Sequence, residues 1–411
     1  MFVSSMTVNG LNYVFHVLMT RKLGVDSYGE LYTLLAVLTL FAVPTTVVTM
    51  IVVRYAAEFR AVDDHARLGA LATWTLRRTA LAAVLIIALG FALQGPLSAY
   101  LRLTDSRSIV ALAAVLALSI VCPTLRGILQ GIEAFREFAT ATMIDGFGRV
   151  VLGIGFVYAG FGVKGALAGQ AGAMIFGALY TWLALRARVR LVDGPLRLDL
   201  RRLARTSAGI GTAMLALSVL GFADLLLVKH FFSPYEAGLY SAVSLVGKVL
   251  FFVIGFVPTI VLPKATARVA RGESPVSVVL QAGVTMAALC AAGLGILFFV
   301  PDFAVRVMSG RAFLGAVPYV FVYGVAMSML GGVTVVVNYK IGLHRFDFLL
   351  PLVAVAILEP AAITLDHASL WDVVRIVAVG NLLALVTSLY RLTSFGAVRL
   401  PHDTPQPSAL T

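Results

Sequence analysis

Seven ionisable side chains stand inside long apolar stretches of this 411-residue chain: Arg126, Asp145 and Arg149 in its first half, and Asp224, Lys248, Glu359 and Arg375 in its second. A charge at the centre of a bilayer costs at least about 2.5 to 3.5 kcal/mol on insertion scales, so such a residue normally faces a cavity or a partner. Basic groups placed this way can hold an anion such as a phosphate, offsetting its desolvation with charge-assisted hydrogen bonds. Acidic groups can carry a proton or a cation. Lys248 is the most open to the anion logic, because no acidic residue lies one helical turn away to neutralise it. Asn12 and His16 share one helix face at i, i+4 spacing and could line a facing wall. The candidates for a binding cavity are therefore Lys248, Arg149, Arg126, His16, Asn12 and Arg375, and those for ion coupling are Glu359, Asp145 and Asp224.

Each has a plainer role. Asp145 and Arg149 are i, i+4 neighbours and would form a local ion pair. Asp224 sits with Lys229 near one end of its helix, where both could snorkel to the head groups. Arg126 follows Pro123 close to a span end and would serve equally as a head-group anchor. Glu359 precedes Pro360, which frees a carbonyl in the preceding turn and marks a kink, so the acid suits a hinge, a coupling carboxylate or an inter-helix hydrogen bond. His16 could simply pack. Gly146, Gly148, Gly153 and Gly155, and the pair Gly331-Gly332, suit close helix packing.

The elements that must position these residues follow from composition. The chain is 60% hydrophobic and 13% charged, with mean hydropathy +0.95. That makes it an all-α polytopic membrane protein, because a bilayer core of about 30 Å takes about 20 apolar residues per helix and lipid satisfies no backbone group. Twelve spans are predicted over 2–20, 29–53, 79–93, 108–130, 140–160, 165–185, 207–228, 237–262, 277–300, 313–337, 348–364 and 373–389. They fall into two groups of six. The segment Arg21-Lys22-Leu23-Gly24-Val25-Asp26-Ser27-Tyr28-Gly29-Glu30-Leu31-Tyr32 leads to Val43-Pro44-Thr45 and Arg54. Its counterpart runs from Lys229 through Ser233-Pro234-Tyr235-Glu236-Ala237-Gly238-Leu239-Tyr240 to Val257-Pro258-Thr259 and Arg268. Such doubling predicts two pseudo-symmetric six-helix lobes around a central cavity, related by an axis along the membrane normal. The expected divisions are an N-lobe over 1–187, a basic cytoplasmic linker over 188–206, a C-lobe over 207–393 and a disordered cytoplasmic tail over 394–411.

Net charge +12 and pI near 10 carry no nucleic-acid signature here, because Lys and Arg are sorted by membrane side. With the N-terminus in the cytoplasm, the larger share falls on cytoplasmic loops and span ends, as the positive-inside rule expects. Arg186, Arg188, Arg190, Arg197, Arg201, Arg202 and Arg205 crowd the linker around Asp193-Gly194-Pro195 and would rest on anionic lipids. The first apolar stretch lacks a basic leader and a small-residue cleavage site, so it is expected to be a retained span. Cys122 and Cys290 stand alone, without metal-ligand or redox spacing. No phosphate-cradling loop, zinc motif or nucleophile elbow is present, and no hydrophilic stretch is large enough to house catalysis. The expectation is a transporter, not an enzyme, with no cofactor and no metal.

Several local patterns resemble the polysaccharide-transporter branch of the multidrug/oligosaccharidyl-lipid/polysaccharide exporter superfamily. They are Arg-x-Leu-Gly-x-x-x-Tyr-Gly at Arg21 to Gly29, Arg-Tyr-Ala at Arg54 to Ala56, Gly-Leu-Tyr-Ser-Ala at Gly238 to Ala242, and Leu129-Gln130-Gly131 followed by a Phe-rich amphipathic piece from Glu133 to Phe138. The likeness extends from Met1 to about Leu392. It implies an O-antigen or exopolysaccharide flippase of a bacterial or archaeal plasma membrane, turning an undecaprenyl-diphosphate-linked oligosaccharide between leaflets by alternating access. It also implies coupling to H+ or Na+ and contact with polymerase or ligase machinery, with both termini cytoplasmic. Lipid II flippases of this superfamily typically carry two further C-terminal spans beyond the twelve predicted here, so a lipid II flippase is the less expected member of the resemblance. A cation-coupled multidrug exporter and a non-transporting scaffold of a polysaccharide assembly complex are the alternatives, and the exporter should show acidic residues predominating in its cavity.

Overall fold

The computed structural model describes residues 2–194, 196, 200–270, 276–342 and 345–390, and among them every regular element is helical. The run Phe2–Ala61 is broken at Gly24, where φ is 76°, into α1 (residues 2–23) and α2 (residues 25–61). Only glycine takes that φ without strain, so the first turn of the repeat is written into one residue. The helices that follow are α3 (His65–Tyr100), α4 (Arg107–Gly131), α5 (Phe135–Phe156), α6 (Gly162–Arg188), α7 (Leu200–Phe231), α8 (Pro234–Ala270), α9 (Val276–Phe299), α10 (Val317–Gly342), α11 (Leu349–Leu365) and α12 (Leu370–Leu389). Between α5 and α6 the chain turns through Val157–Phe161, with Gly160 at φ 90°. A short helix, Pro301–Met308, leaves α9 at 96° and leads to α10.

Each predicted span coincides with one of these helices, but the helices outrun the apolar stretches. The third, predicted over 79–93, is thirty-six residues long. Hydropathy marks only the part of a helix that faces lipid, while caps mark its ends. Asp64 accepts from the Arg67 backbone N–H at the start of α3, and Ser233 and Glu236 form a reciprocal capping box at the start of α8. The expected amphipathic piece between α4 and α5 is instead a tight turn: Glu133 has φ 61°, and Phe135 already begins α5. Arg201, Arg202 and Arg205 fall on α7 itself, because that helix starts at Leu200. Arg197 and the tail over 394–411 lie outside the described residues.

Helices α1 to α6 pack into one lobe, through α3 on α4, α4 on α6 and α5 on α6. In the other, α8 and α12 pack on α10, and α11 packs on α7 and α12. The lobes meet through α1 and α2, which pack against α7 and α8. One buried core draws on both lobes and holds Tyr28, Tyr240, Tyr323 and Phe313. A second core, built from Val52, Phe59, Leu71, Leu125, Leu129 and Leu185, draws on the first lobe alone. The lobes are therefore fused near the Gly24 turn, whereas at the opposite, Arg-rich end the first lobe packs on itself.

Candidate functional site

The two copies of the sequence repeat touch at the fused end. A Cβ built on Gly29 would lie 2.8 Å from both Cα and N of Gly238, so the crossing of α2 and α8 excludes any side chain there. Around this contact, Thr20 and Arg21 donate to the carbonyls of Met308 and Val307, at 3.5 and 3.2 Å. Tyr28 meets Phe313 edge-on, and Tyr100 stacks on His230 with ring centroids 4.1 Å apart. These residues all lie at helix ends on one side of the molecule, and they close it there.

Beneath that closure lies a cavity of ≈ 450 Å³ between α1, α2, α7, α8 and α10. That volume falls in the range of small-ligand pockets. Asn12, Tyr13 and His16 line it from α1, Tyr32 and Thr39 from α2, Phe222 from α7, Lys248 from α8, and Thr334 and Asn338 from α10. The cavity meets a second groove of ≈ 730 Å³ at Thr39, Ala42 and Thr46. This groove follows α2 and α4 past Thr45 and Thr49 to Arg54 and Gln130, towards the Arg-rich end. Among the described residues, no Asp or Glu lines either space.

Lys248 is 2% exposed, and its ammonium has no hydrogen-bond partner among the described residues. It sits 3.9 Å from the Phe222 ring centroid and 5.6 Å from that of Tyr32. Ring faces stabilise a cation by about 2 kcal/mol when desolvated, less than the several kcal/mol that burying an ion costs. The ammonium is thus held at a cavity wall with its solvation debt incompletely offset, which is the condition for attracting an anion. From α1 the Asn12 Oδ1 accepts from the Arg149 guanidinium, which lies over the Phe15 ring at 4.2 Å and whose Nε has no hydrogen-bond partner among the described residues. Arg149 therefore stands behind Asn12 and orients that amide. His16 Nδ1 pairs with the Tyr28 hydroxyl at 3.2 Å.

The remaining candidates are placed elsewhere. Arg126 pairs with Asp145 inside the first lobe and also donates to the Cys122 carbonyl and the Thr142 hydroxyl. The i, i+4 pair of Asp145 with Arg149 does not form, because α4 brings the Arg126 guanidinium to Asp145 and α1 offers Asn12 to Arg149. Asp224 is fully buried and does not snorkel; it accepts from the Tyr240 and Tyr323 hydroxyls at 2.7 and 2.9 Å. His16 stands sixteen residues before Tyr32 as Asp224 stands sixteen before Tyr240, so the two repeats place different ionisable groups at matched positions. Glu359 is buried against Gly380 of α12, and among the described residues neither carboxylate oxygen has a hydrogen-bond partner. Arg375 is exposed, 5.8 Å from the Trp371 ring, on a shallow α11–α12 groove that it shares with Glu359, and it does not line the central cavity.

Sequence reasoning missed Tyr32, Phe222, Tyr323 and Asn338. Tyr32 closes the first repeat and Asn338 is a polar residue directly after an apolar span, so both carried a signal. Phe222 and Tyr323 look like ordinary span aromatics.

A family model described as polysaccharide biosynthesis protein matches residues 1–263. No curated protein matches the sequence significantly. Among solved structures the fold is similar to an inward-facing multidrug resistance MATE family transporter of the MOP superfamily, with TM-score 0.78 and 15% identity over 92% of each chain. It is also similar to the lipid II flippase MurJ in its inward closed conformation, with TM-score 0.67 and 11% identity over 94% of this chain and 86% of that one. An outward-facing conformation of a multidrug resistance MATE family transporter gives TM-score 0.53 at 16% identity over 97% and 94%.

Proposed function

The chain belongs to the polysaccharide biosynthesis protein family, and from that premise we propose that it is a flippase for a lipid-linked oligosaccharide, holding the lipid diphosphate in the central cavity. The observation that carries this reading is the buried ammonium of Lys248, without a hydrogen-bond partner among the described residues, on the wall of a cavity that no described carboxylate lines. A diphosphate cannot cross hydrocarbon bare. A desolvated ammonium offers it a charge-assisted hydrogen bond, and Asn12, held by Arg149, offers an oriented amide beside it. The groove from Arg54, mostly apolar but carrying Thr39, Thr45, Thr46, Thr49, Ser119 and Gln130 along it, gives the lipid-linked cargo a route from the Arg-rich end, which in this reading is cytoplasmic. Two lobes over 1–187 and 207–393, joined by the basic segment 188–206, would then rock about α1, α2, α7 and α8, opening the Gly29 and Gly238 contact as the other end closes. Glu359, a buried carboxylate without a hydrogen-bond partner among the described residues, is the group we assign to coupling with H+ or Na+.

Deleting the gene tests the reading. Lipid-linked repeat units should accumulate on the cytoplasmic face and a surface polysaccharide should fall, with drug susceptibility unchanged. Normal glycan with raised sensitivity to cationic dyes would reassign the protein as a multidrug exporter.

A further inference from the structure

A groove of ≈ 840 Å³ lies on the outer face of the first lobe, over α4 and between α3 and α6. Three polar side chains from three helices meet at its mouth: Gln94 of α3, Arg107 of α4 and Lys164 of α6. All three lie near helix ends on the side of the Gly24 and Gly160 turns. Below the mouth the groove is apolar, and Ala111, Ala114, Ala168 and Gly172 keep its floor open while Phe91 and Phe156 form walls. From Lys164 to Ile175 it follows α6 for eleven residues, about 16 Å at 1.5 Å per residue. That depth matches one leaflet, half of a hydrocarbon core of about 30 Å.

The charge at the mouth is positive on balance. Asp105 takes a 2.8 Å hydrogen bond from Lys164, and this bond together with the Arg107 backbone N–H holds its carboxyl below the usual carboxylate value, so it is ionised and offsets one cation. Arg107 supplies the other. A single net positive charge above a leaflet-deep apolar slot matches a phosphodiester with chains beneath it, and it disfavours a head group that carries its own ammonium.

We propose that this groove seats one anionic glycerophospholipid of the leaflet at the Gly24 side, with its phosphate between Arg107 and Lys164 and an acyl chain along α6. The site is separate from the central cavity, so its occupancy does not depend on what the protein transports. It would wedge α3 against α6, two helices that flank α4.

Photo-crosslinking tests this on the full-length protein in nanodiscs, using a phosphatidylglycerol that bears a diazirine in its acyl chain. Label should concentrate within residues 107–114 and 156–175, and unlabelled phosphatidylglycerol should compete at least fivefold better than phosphatidylcholine. Arg107→Gln should weaken labelling about fivefold, the effect of one surface charge on an anionic lipid. Ala111→Leu with Ala168→Leu should remove the label by filling the slot while the charges stay. Equal competition by phosphatidylcholine, labelling that survives the filled slot, or displacement by undecaprenyl phosphate more effective than by phosphatidylglycerol would each overturn the proposal, the last by making the groove a seat for the cargo's own tail.

Discussion

Replacing Gly29 by alanine places a methyl carbon 2.8 Å from Cα and N of Gly238. Carbon atoms make their best contact at about 3.5 to 4.0 Å, so α2 and α8 must separate by about 0.7 Å or more at their crossing. Both neighbours are backbone atoms and cannot swing aside. Overpacking of this kind costs about 1–3 kcal/mol. That cost falls on the state in which the two glycines touch and is relieved when this end opens, so the closed population should drop by about 5- to 150-fold relative to the open one. Gly238→Ala should act in the same direction, since its methyl meets the Val25 carbonyl. Gly10→Ala serves as control, with nothing within 4 Å of its Cβ position. Spin labels at Ser106 and Ala368, both exposed turn residues beside the closed end, report the separation by double electron–electron resonance in nanodiscs. A longer distance should gain population in Gly29→Ala and Gly238→Ala and stay unchanged in Gly10→Ala. Identical distance distributions in all of them would refute the assignment of this contact as the closing surface.

Three further outcomes follow from the same geometry. Asp145→Ala strands the Arg126 guanidinium, whose side chain is only 10% exposed, and should cost about 3–5 kcal/mol, read as a lost or strongly lowered melting transition; Arg126→Met with Asp145→Leu should recover most of it. Glu359→Gln keeps shape and removes ionisation, so purified protein should bind lipid-linked glycan within about twofold of wild type, while gradient-driven flipping falls to its gradient-independent level in proteoliposomes. A cysteine at exposed Arg190 should resist an impermeant maleimide in intact cells and one at Ala368 should react; the reverse pattern would invert the assigned topology.

What could be read from the sequence was what local spacing determines. Each apolar run located one of the twelve long helices among the described residues, and the repeat located the segments that meet at Gly29 and Gly238, because both signals lie along the chain. Lys248 stood out for a local reason too: no acid lies within a turn of it. The errors concern partners brought in from other helices. Asp145 has a basic neighbour at i+4 but finds Arg126, nineteen residues away, on another helix. Asp224 looked like a head-group residue until Tyr240 and Tyr323 were seen to reach it, the latter from 99 residues away. Arg375 and Lys248 are both cations in predicted spans, and only the rotation of α12 relative to α8 puts one outside and the other at the cavity. Helix ends were legible only where caps or positive-φ glycines mark them.

The most direct measurement replaces Lys248 by methionine and follows two quantities in one preparation, the flipping rate of an undecaprenyl-diphosphate oligosaccharide in proteoliposomes and the melting temperature. Methionine fills a similar volume without the buried charge, so the protein should melt at the same temperature or higher. Flipping should fall at least about tenfold, because a charge-assisted hydrogen bond contributes about 1.5–3 kcal/mol, and Lys248→Arg should retain much of the rate because the positive charge remains. Wild-type flipping by a folded Lys248→Met protein would contradict the account, leaving the ammonium a packing residue and the cavity without its anion-binding group.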